Sequence, residues 1–361
     1  MREYIISTEA IRDNIALIRK KAGNAPIWAV VKGDGYGLGV QNLARICREN
    51  GLSRFAVTEV SEAETLRETG TPDEQILMLR PTCDRAELTK LITMQVICTV
   101  ASEHDAVTLA GIARELAIRA KAHLKIDTGM GRYGFLPDET EKILACYAYL
   151  EDMEICGIYT HFPCAFCSKK RTRRQAQALK SVADAIVARG FTPGEVHACN
   201  SSALLRMPEL RMDGVRVGSA LLGRVAFRSG LKRTGYCRSQ IEEVRWLPKG
   251  STTGYGSAWK AKKPTQIAVI PVGWFHGYTL EYGNDVYRAR DYLRTILHGV
   301  KGLLHPQKLT VQVGDQTCRV LGHVGMLHTV IDITGKGLKE GDVAVLEINP
   351  LRVRGMEIRF V

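Results

Sequence analysis

Over the first 233 residues, eight short apolar runs alternate with helical patterns, and nothing else in the chain restricts the fold as strongly. The runs lie at 25–32, 54–60, 76–81, 94–100, 122–128, 153–161, 195–201 and 214–218. Helical patterns fall at 8–23, 40–50, 61–69, 84–92, 102–117, 138–150, 170–189 and 202–206. The first has a Thr8-Glu9 cap, with Ile11, Ile15 and Ile18 at helical spacing. Such a repeat predicts an α/β fold, a closed (β/α)8 TIM barrel. An open doubly wound sheet is the competitor, but no G-x-G-x-x-G follows the first run.

After residue 233 the helical periodicity vanishes. Short alternating runs follow at 238–246, 265–272, 308–313, 318–321, 327–333, 342–348 and 356–360, separated by turn residues. They predict a C-terminal all-β domain over 234–361, behind a barrel domain over 1–233. With 45% hydrophobic residues the chain can fill a globular core. Its ten cysteines are scattered, with one C-x-x-C pair, Cys164 and Cys167, and no zinc spacing. That pattern predicts free thiols in a reducing compartment, hence a cytoplasmic protein. No apolar run reaches membrane-span length, and no signal peptide is read at the N-terminus. The net charge of +12 raises nucleic-acid or membrane-surface binding. Its densest cluster, Lys169 to Arg174, lacks interleaved aromatic residues and reads as the solvated start of a helix.

In a parallel barrel the chemistry sits at the C-terminal ends of the strands. Run one ends in Val30-Val31-Lys32 before a loop rich in glycine. A lysine there is partly desolvated, which lowers its pKa and suits it to be a nucleophile or base. Run five ends in Lys125 and leads to Arg132, and run six ends at His161. Run seven leads from His197 to Asn200 and Ser201, and run eight passes Arg216 to Gly218 and Ser219. Loops seven and eight are the usual phosphate site, beside a helix N-terminus. Each of these side chains also has a bland structural reading. A buried lysine, a phosphate cradle and an arginine at one barrel mouth together point to pyridoxal phosphate.

The motifs VVKGDGYG, KIDTGMGRYGF, YTHF, HACNSS, VRVGSALLG, TGYGSAW, PVGW and GHVGM, in this order, resemble those of the alanine racemase family. The resemblance implies a barrel followed by a β domain, and a head-to-tail homodimer whose partner closes each barrel mouth. It implies Lys32 as the Schiff-base lysine and one catalytic base. Tyr255, from the other subunit, would be the second. Arg216, supported by His197, would face the pyridine nitrogen, and His161 would lie beside the ring. Tyr36, Ser201, Gly218 and Ser219 would hold the cofactor's phosphate, and Asn200 would be a further cofactor-binding residue. Arg132 and Met326 would meet the substrate carboxylate, and Lys125 corresponds to a lysine often carbamylated in the family. No metal is implied. Removal of a proton from one face and its return to the other needs two bases.

Some positions depart from the family pattern. Asn349 stands where a tyrosine is usual, Gly325-Met326-Leu327 replaces Ser-Met-Asp, and Phe166 replaces an acidic residue. The smaller Asn349 offers both a donor and an acceptor, so serine as well as alanine is expected to fit. The pattern is most similar to the racemase domain of membrane-bound serine/alanine racemases of vancomycin resistance. This would make the chain the cytoplasmic part of a protein with a membrane-anchoring domain, supplying D-amino acids to cell-wall precursors. The alternatives are a housekeeping alanine racemase, another barrel-type pyridoxal enzyme such as a decarboxylase or aldolase, and a pyridoxal-phosphate-binding protein without turnover.

Overall fold

Short strands and capped helices build the first unit, Thr8–Thr234, of a computed structural model that describes residues 1–280, 289–304 and 309–361. Eight parallel strands close into a barrel: Ile27–Val30, Arg54–Val57, Gln75–Met78, Ile97–Val100, Ala120–Lys125, Met153–Tyr159, Glu195–Cys199 and Gly214–Val217. Closure is made by the first and last, where Trp28 is in register with Arg216. Each strand falls within, or within two residues of, an apolar run read from the sequence. Trp28, Val30, Ala56, Leu77 and Ile97 fill part of the barrel core. The helices start where short polar side chains cap them. Ser102 accepts the Asp105 N–H ahead of Glu103–Leu116, and Ser168 accepts the Arg171 N–H ahead of Lys169–Ala188. In the latter Leu179, Val182, Ala183 and Ile186 are buried, while Arg173 pairs with Glu209. The basic cluster is thus the first turns of an amphipathic helix, as its pattern predicts.

The segment after Lys32, expected to be a loop, is a left-handed turn. Gly33, Asp34, Gly35 and Tyr36 have φ of 65°, 51°, 60° and 56°. Left-handed backbone costs a non-glycine residue about 1–2 kcal/mol. Carboxylates hold it in place. Glu62 accepts the N–H groups of Asp34, Thr58 and Glu59 at 3.0, 2.9 and 3.1 Å, and Asp34 accepts that of Val40 at 3.0 Å.

The second unit comprises Met1–Ser7 and Gly235–Val361. Its nine-stranded sheet runs in the order Glu243–Leu247, Thr265–Ile270, Thr329–Asp332, Gln316–Val320, Thr310–Val313, Val343–Leu346, Gly235–Gln240, Arg2–Ile6 and Glu357–Phe360. Two differences from the sequence reading stand out. The first seven residues group with this unit, not with the barrel: Arg2–Ile6 pairs antiparallel with Gly235–Gln240 and parallel with Glu357–Phe360. Glu3 there meets Arg238 and Arg359, and the Tyr4 hydroxyl donates to the Ile348 carbonyl at 2.8 Å. Helical structure also returns, in Ala289–Leu304. Its Tyr292, Leu293, Ile296, Leu297 and Val300 recur at helical spacing, a pattern hidden among the surrounding β runs. The run at 238–246 is two strands, and the run at 308–313 begins outside the described residues.

Candidate active site

The strand ends of the barrel deliver Lys32, Lys125, Arg132, His161 and Arg216 to one cavity of about 520 Å³. Arg80, from the end of the third strand, is a fifth cation besides the histidine, and no carboxylate residue is among those lining the space. Arg80 is neutralised from behind by Glu87, at 2.8 and 2.9 Å. No lining carboxylate offsets the other four cations, so the site favours an anion.

Lys32 is half-buried. Desolvation lowers its pKa, Arg132 adds to the effect, and Glu62 opposes it. Lys125 is more deeply set, with Nζ 4.3 Å from the centroid of the Tyr159 ring. Burial, followed by Arg216 and Arg132, brings its pKa down to about 7. His161 is pushed down to about 3 by burial, then by Arg216 and Lys125, so its imidazole is neutral. Arg216 is buried, and Nη1 and Nη2 donate to His197 Nδ1 at 2.8 Å and to the Thr160 carbonyl at 2.6 Å. Its Nε–H has no partner among the described residues. Burial lowers its pKa to about 10, which still leaves a cation at neutral pH.

A second set of groups lines the cavity near the helix Ser201–Arg206. Ser201 Oγ accepts the N–H groups of Gly218 and Ala220 at 3.2 and 3.3 Å, so its own proton is left to donate. A Cβ on Gly218 would lie 2.1 Å from the Tyr36 hydroxyl, and only glycine admits that ring. Burial pushes the Tyr36 phenol up to about 12, so it stays a donor. Asn200 caps the helix: Oδ1 accepts from Ala203 and Nδ2 donates to the Phe162 carbonyl. Its side chain is therefore committed to the fold beside the cavity.

The remaining candidates belong to the other unit. Tyr255 and Met326 line one groove there with His323 and Leu327, and both are well exposed, at 76% and 46%. Asn349 is half-buried and caps the turn Pro350–Arg352, with Oδ1 accepting the Leu351 N–H at 3.3 Å. Phe166 is exposed.

Two family models match the chain: the alanine racemase N-terminal domain over residues 6–225 and the alanine racemase C-terminal domain over 236–353. The chain belongs to the alanine racemase family. It is 36% identical over 283 residues to an alanine racemase of Desulforamulus reducens, covering 76% of each protein. It is 31% identical over 351 residues to one of Clostridium perfringens, covering 94% of this chain and 84% of that protein. Among solved structures, an alanine racemase from E. faecalis superposes with a TM-score of 0.81 at 25% identity, over 100% of this chain and 98% of that one. One from Streptomyces coelicolor gives 0.85 at 22%, with the same coverage, which bears on the fold alone. The protein is thus a racemase of a family that depends on pyridoxal phosphate. The residues present fit that group. Tyr36, Ser201 and the Ser219 N–H supply neutral donors for a phosphate, whereas the Gly218 N–H, expected to do so, is given to Ser201; Arg216 has a spare donor, and Lys32 supplies an amine of lowered pKa.

Sequence reasoning gave no role to Asp127, which organises the Arg132 loop of the racemase. Its carboxylate accepts four consecutive backbone N–H groups, from Gly129, Met130, Gly131 and Arg132, at 2.7–3.1 Å. An aspartate ahead of Thr-Gly-Met-Gly was the available signal, because Asx side chains nucleate such turns. Desolvation alone would raise its pKa, but the four donors outweigh it and hold it below the ordinary value. The stabilisation is therefore present above the unfolded-state pKa and is lost as pH falls through the folded one. Asp127→Asn sets an amide N–H₂ against those donors. It should cost on the order of 2–3 kcal/mol in urea unfolding at neutral pH. It should also raise the substrate KM severalfold, with the stability difference shrinking in acid. An unchanged KM would show that the loop does not need this anchor.

Proposed function

We propose that this racemase interconverts the L- and D-forms of alanine and serine at the barrel mouth, with Lys32 and Tyr255 as its two bases. The observation that carries this reading is the cation-lined cavity, in which Lys32 has a lowered pKa beside Arg216 and the donor cradle. The alanine racemases among the relatives support alanine as a substrate. Pyridoxal phosphate, when bound, holds the amino acid covalently and takes up the electron pair left when the Cα proton departs. Tyr36, Ser201 and the Ser219 N–H would hold the phosphate, with Gly218 making room for the Tyr36 ring and donating its N–H to Ser201. Arg216 meets the ring nitrogen and, staying protonated, keeps a proton off it, which favours plain proton return over decarboxylation or transamination. Arg132 orients the substrate carboxylate.

Lys32 Nζ moves the proton on one face of Cα, and the Tyr255 hydroxyl moves it on the other. Tyr255 comes from a second copy of the chain in a homodimer, a reading supported by its exposure in a groove shared with Met326. Arg132 is the cation that depresses the Lys32 pKa most after desolvation. It therefore prepares the base as well as the substrate.

Serine is a second reading that a specific position favours. Asn349 spends Oδ1 on its own turn, which leaves the amide nitrogen to meet a substrate hydroxyl. An unpaired buried hydroxyl would cost on the order of 1–3 kcal/mol, or roughly 10- to 100-fold in relative kcat/KM. The resemblance to the vancomycin-resistance enzymes belongs to this reading. The test is loss of optical rotation from L-alanine and from L-serine with the purified holoprotein. Both substrates should turn over, and Asn349→Tyr should depress serine about tenfold more than alanine. Inactivity on both would end the racemase reading, and equal losses in the variant would leave serine without a residue behind it.

A further inference from the structure

Beneath the Arg216 guanidinium the barrel holds two histidines in line. Arg216 Nη1 meets His197 Nδ1 at 2.8 Å, and His197 Nε2 meets His123 Nδ1 at 3.0 Å. All three side chains are buried. A guanidinium can only donate, so His197 Nδ1 accepts. Both imidazoles are neutral. Burial, then Arg216, pushes His197 well below its ordinary pKa and His123 down to about 3. A neutral imidazole that accepts at Nδ1 has its proton on Nε2. The His197 proton therefore points at His123 Nδ1, which must accept, and His123 in turn is protonated on its own Nε2. Both ring protons point away from Arg216.

The surroundings fix the rings and leave only the proton positions to be decided. His197 stacks on Tyr159 at 5.1 Å and 20°, and on Trp28 at 6.2 Å and 22°. Tyr159 is anchored through its hydroxyl to Thr99 at 2.7 Å and to the Leu79 carbonyl at 3.2 Å. His123 stands edge-on to Trp28 at 5.9 Å and 83°. Room for His123 comes from the neighbouring strand, where a Cβ on Gly157 would lie 2.6 Å from its Nε2. The ladder between these strands shifts register between Ala122 and His123.

We propose that His123 is a positioning residue: by accepting the Nε2–H of His197 it fixes that ring's tautomer, and through it the Arg216 guanidinium at the cavity wall. His123 itself lines no part of the cavity. Its effect on turnover rests on the reading of Arg216 as the partner of the cofactor ring nitrogen, whereas the tautomer lock does not.

The test uses ¹⁵N-histidine-labelled protein, with and without bound pyridoxal phosphate, and two variants. His123→Leu removes the acceptor, and His123→Asn keeps an oxygen near the Nδ1 position. In the cofactor-free wild type, the imidazole ¹⁵N shifts of His197 should report a proton on Nε2 alone. In His123→Leu they should move toward the Nδ1–H form or a mixture, and in His123→Asn they should return to the wild-type pattern. In the holoproteins, kcat should fall roughly tenfold or more in His123→Leu with little change in KM, and recover to within about threefold in His123→Asn. An Nδ1–H tautomer in the wild type would overturn the proposal, and so would a His197 pattern in His123→Leu identical to that of the wild type. If His123→Leu does not fold, His123→Phe, which keeps a ring and lacks the acceptor, takes its place with the same expected shift. A tautomer that responds while kcat does not would uphold the lock and count against the ring-nitrogen role of Arg216.

Discussion

Lys32→Ala should lower racemisation by roughly 10³-fold or more and abolish covalent capture of pyridoxal phosphate. Two amines face the same cavity, and the pKa alone does not choose between them. Lys125, brought down to about 7, is the stronger candidate by that criterion. Geometry reverses the order. Lys125 is buried with its ammonium over the Tyr159 ring, whereas Lys32 is half-buried where the left-handed turn begins. An amine that must form a bond, release it and move a proton needs access, and Lys32 has it. Borohydride reduction followed by peptide mapping should place the cofactor on Lys32 in the wild type. A label on Lys125, or one retained in the variant, would contradict the assignment.

Tyr255→Phe should slow racemisation by roughly 10²-fold or more without loss of stability. The phenol is 76% exposed on its own chain, so removing its hydroxyl takes away no buried contact there. Surface changes of this kind usually shift stability by less than about 0.5 kcal/mol. A rate loss at constant unfolding midpoint would therefore report chemistry and not folding. The loss should be larger for exchange of the α-proton from the L-substrate than from the D-substrate. Near-normal L-exchange in the variant would remove Tyr255 from the mechanism.

The barrel was legible because each of its strands is a short apolar run with a helical pattern beside it, a signal local in sequence. Lys32, His161, Ser201 and Arg216 were legible for the same reason: strand ends can be counted, and in this fold they share one mouth. What escaped was non-local or conformational. The strand Arg2–Ile6 lies in sequence beside the barrel yet pairs with Gly235–Gln240 and Glu357–Phe360, and no local pattern reports a partner more than 200 residues away. The left-handed turn at Gly33–Tyr36 depends on Glu62, which is remote in sequence. Asp127 and His123 act through hydrogen bonds whose partners a linear reading cannot pair. The helix Ala289–Leu304 is a different case, since its apolar spacing is local in sequence but lies among β runs that mask it.

Solvent deuterium tests the two-base account most directly. The holoprotein is given L-alanine in D₂O, and both enantiomers are analysed at low conversion. With Lys32 and Tyr255 each exchanging with solvent on its own face, the D-alanine formed should bear deuterium at Cα from the first turnovers, ahead of the recovered L-alanine. D-alanine that retains the original proton would mean that a single base carries it across both faces, and the account would fail.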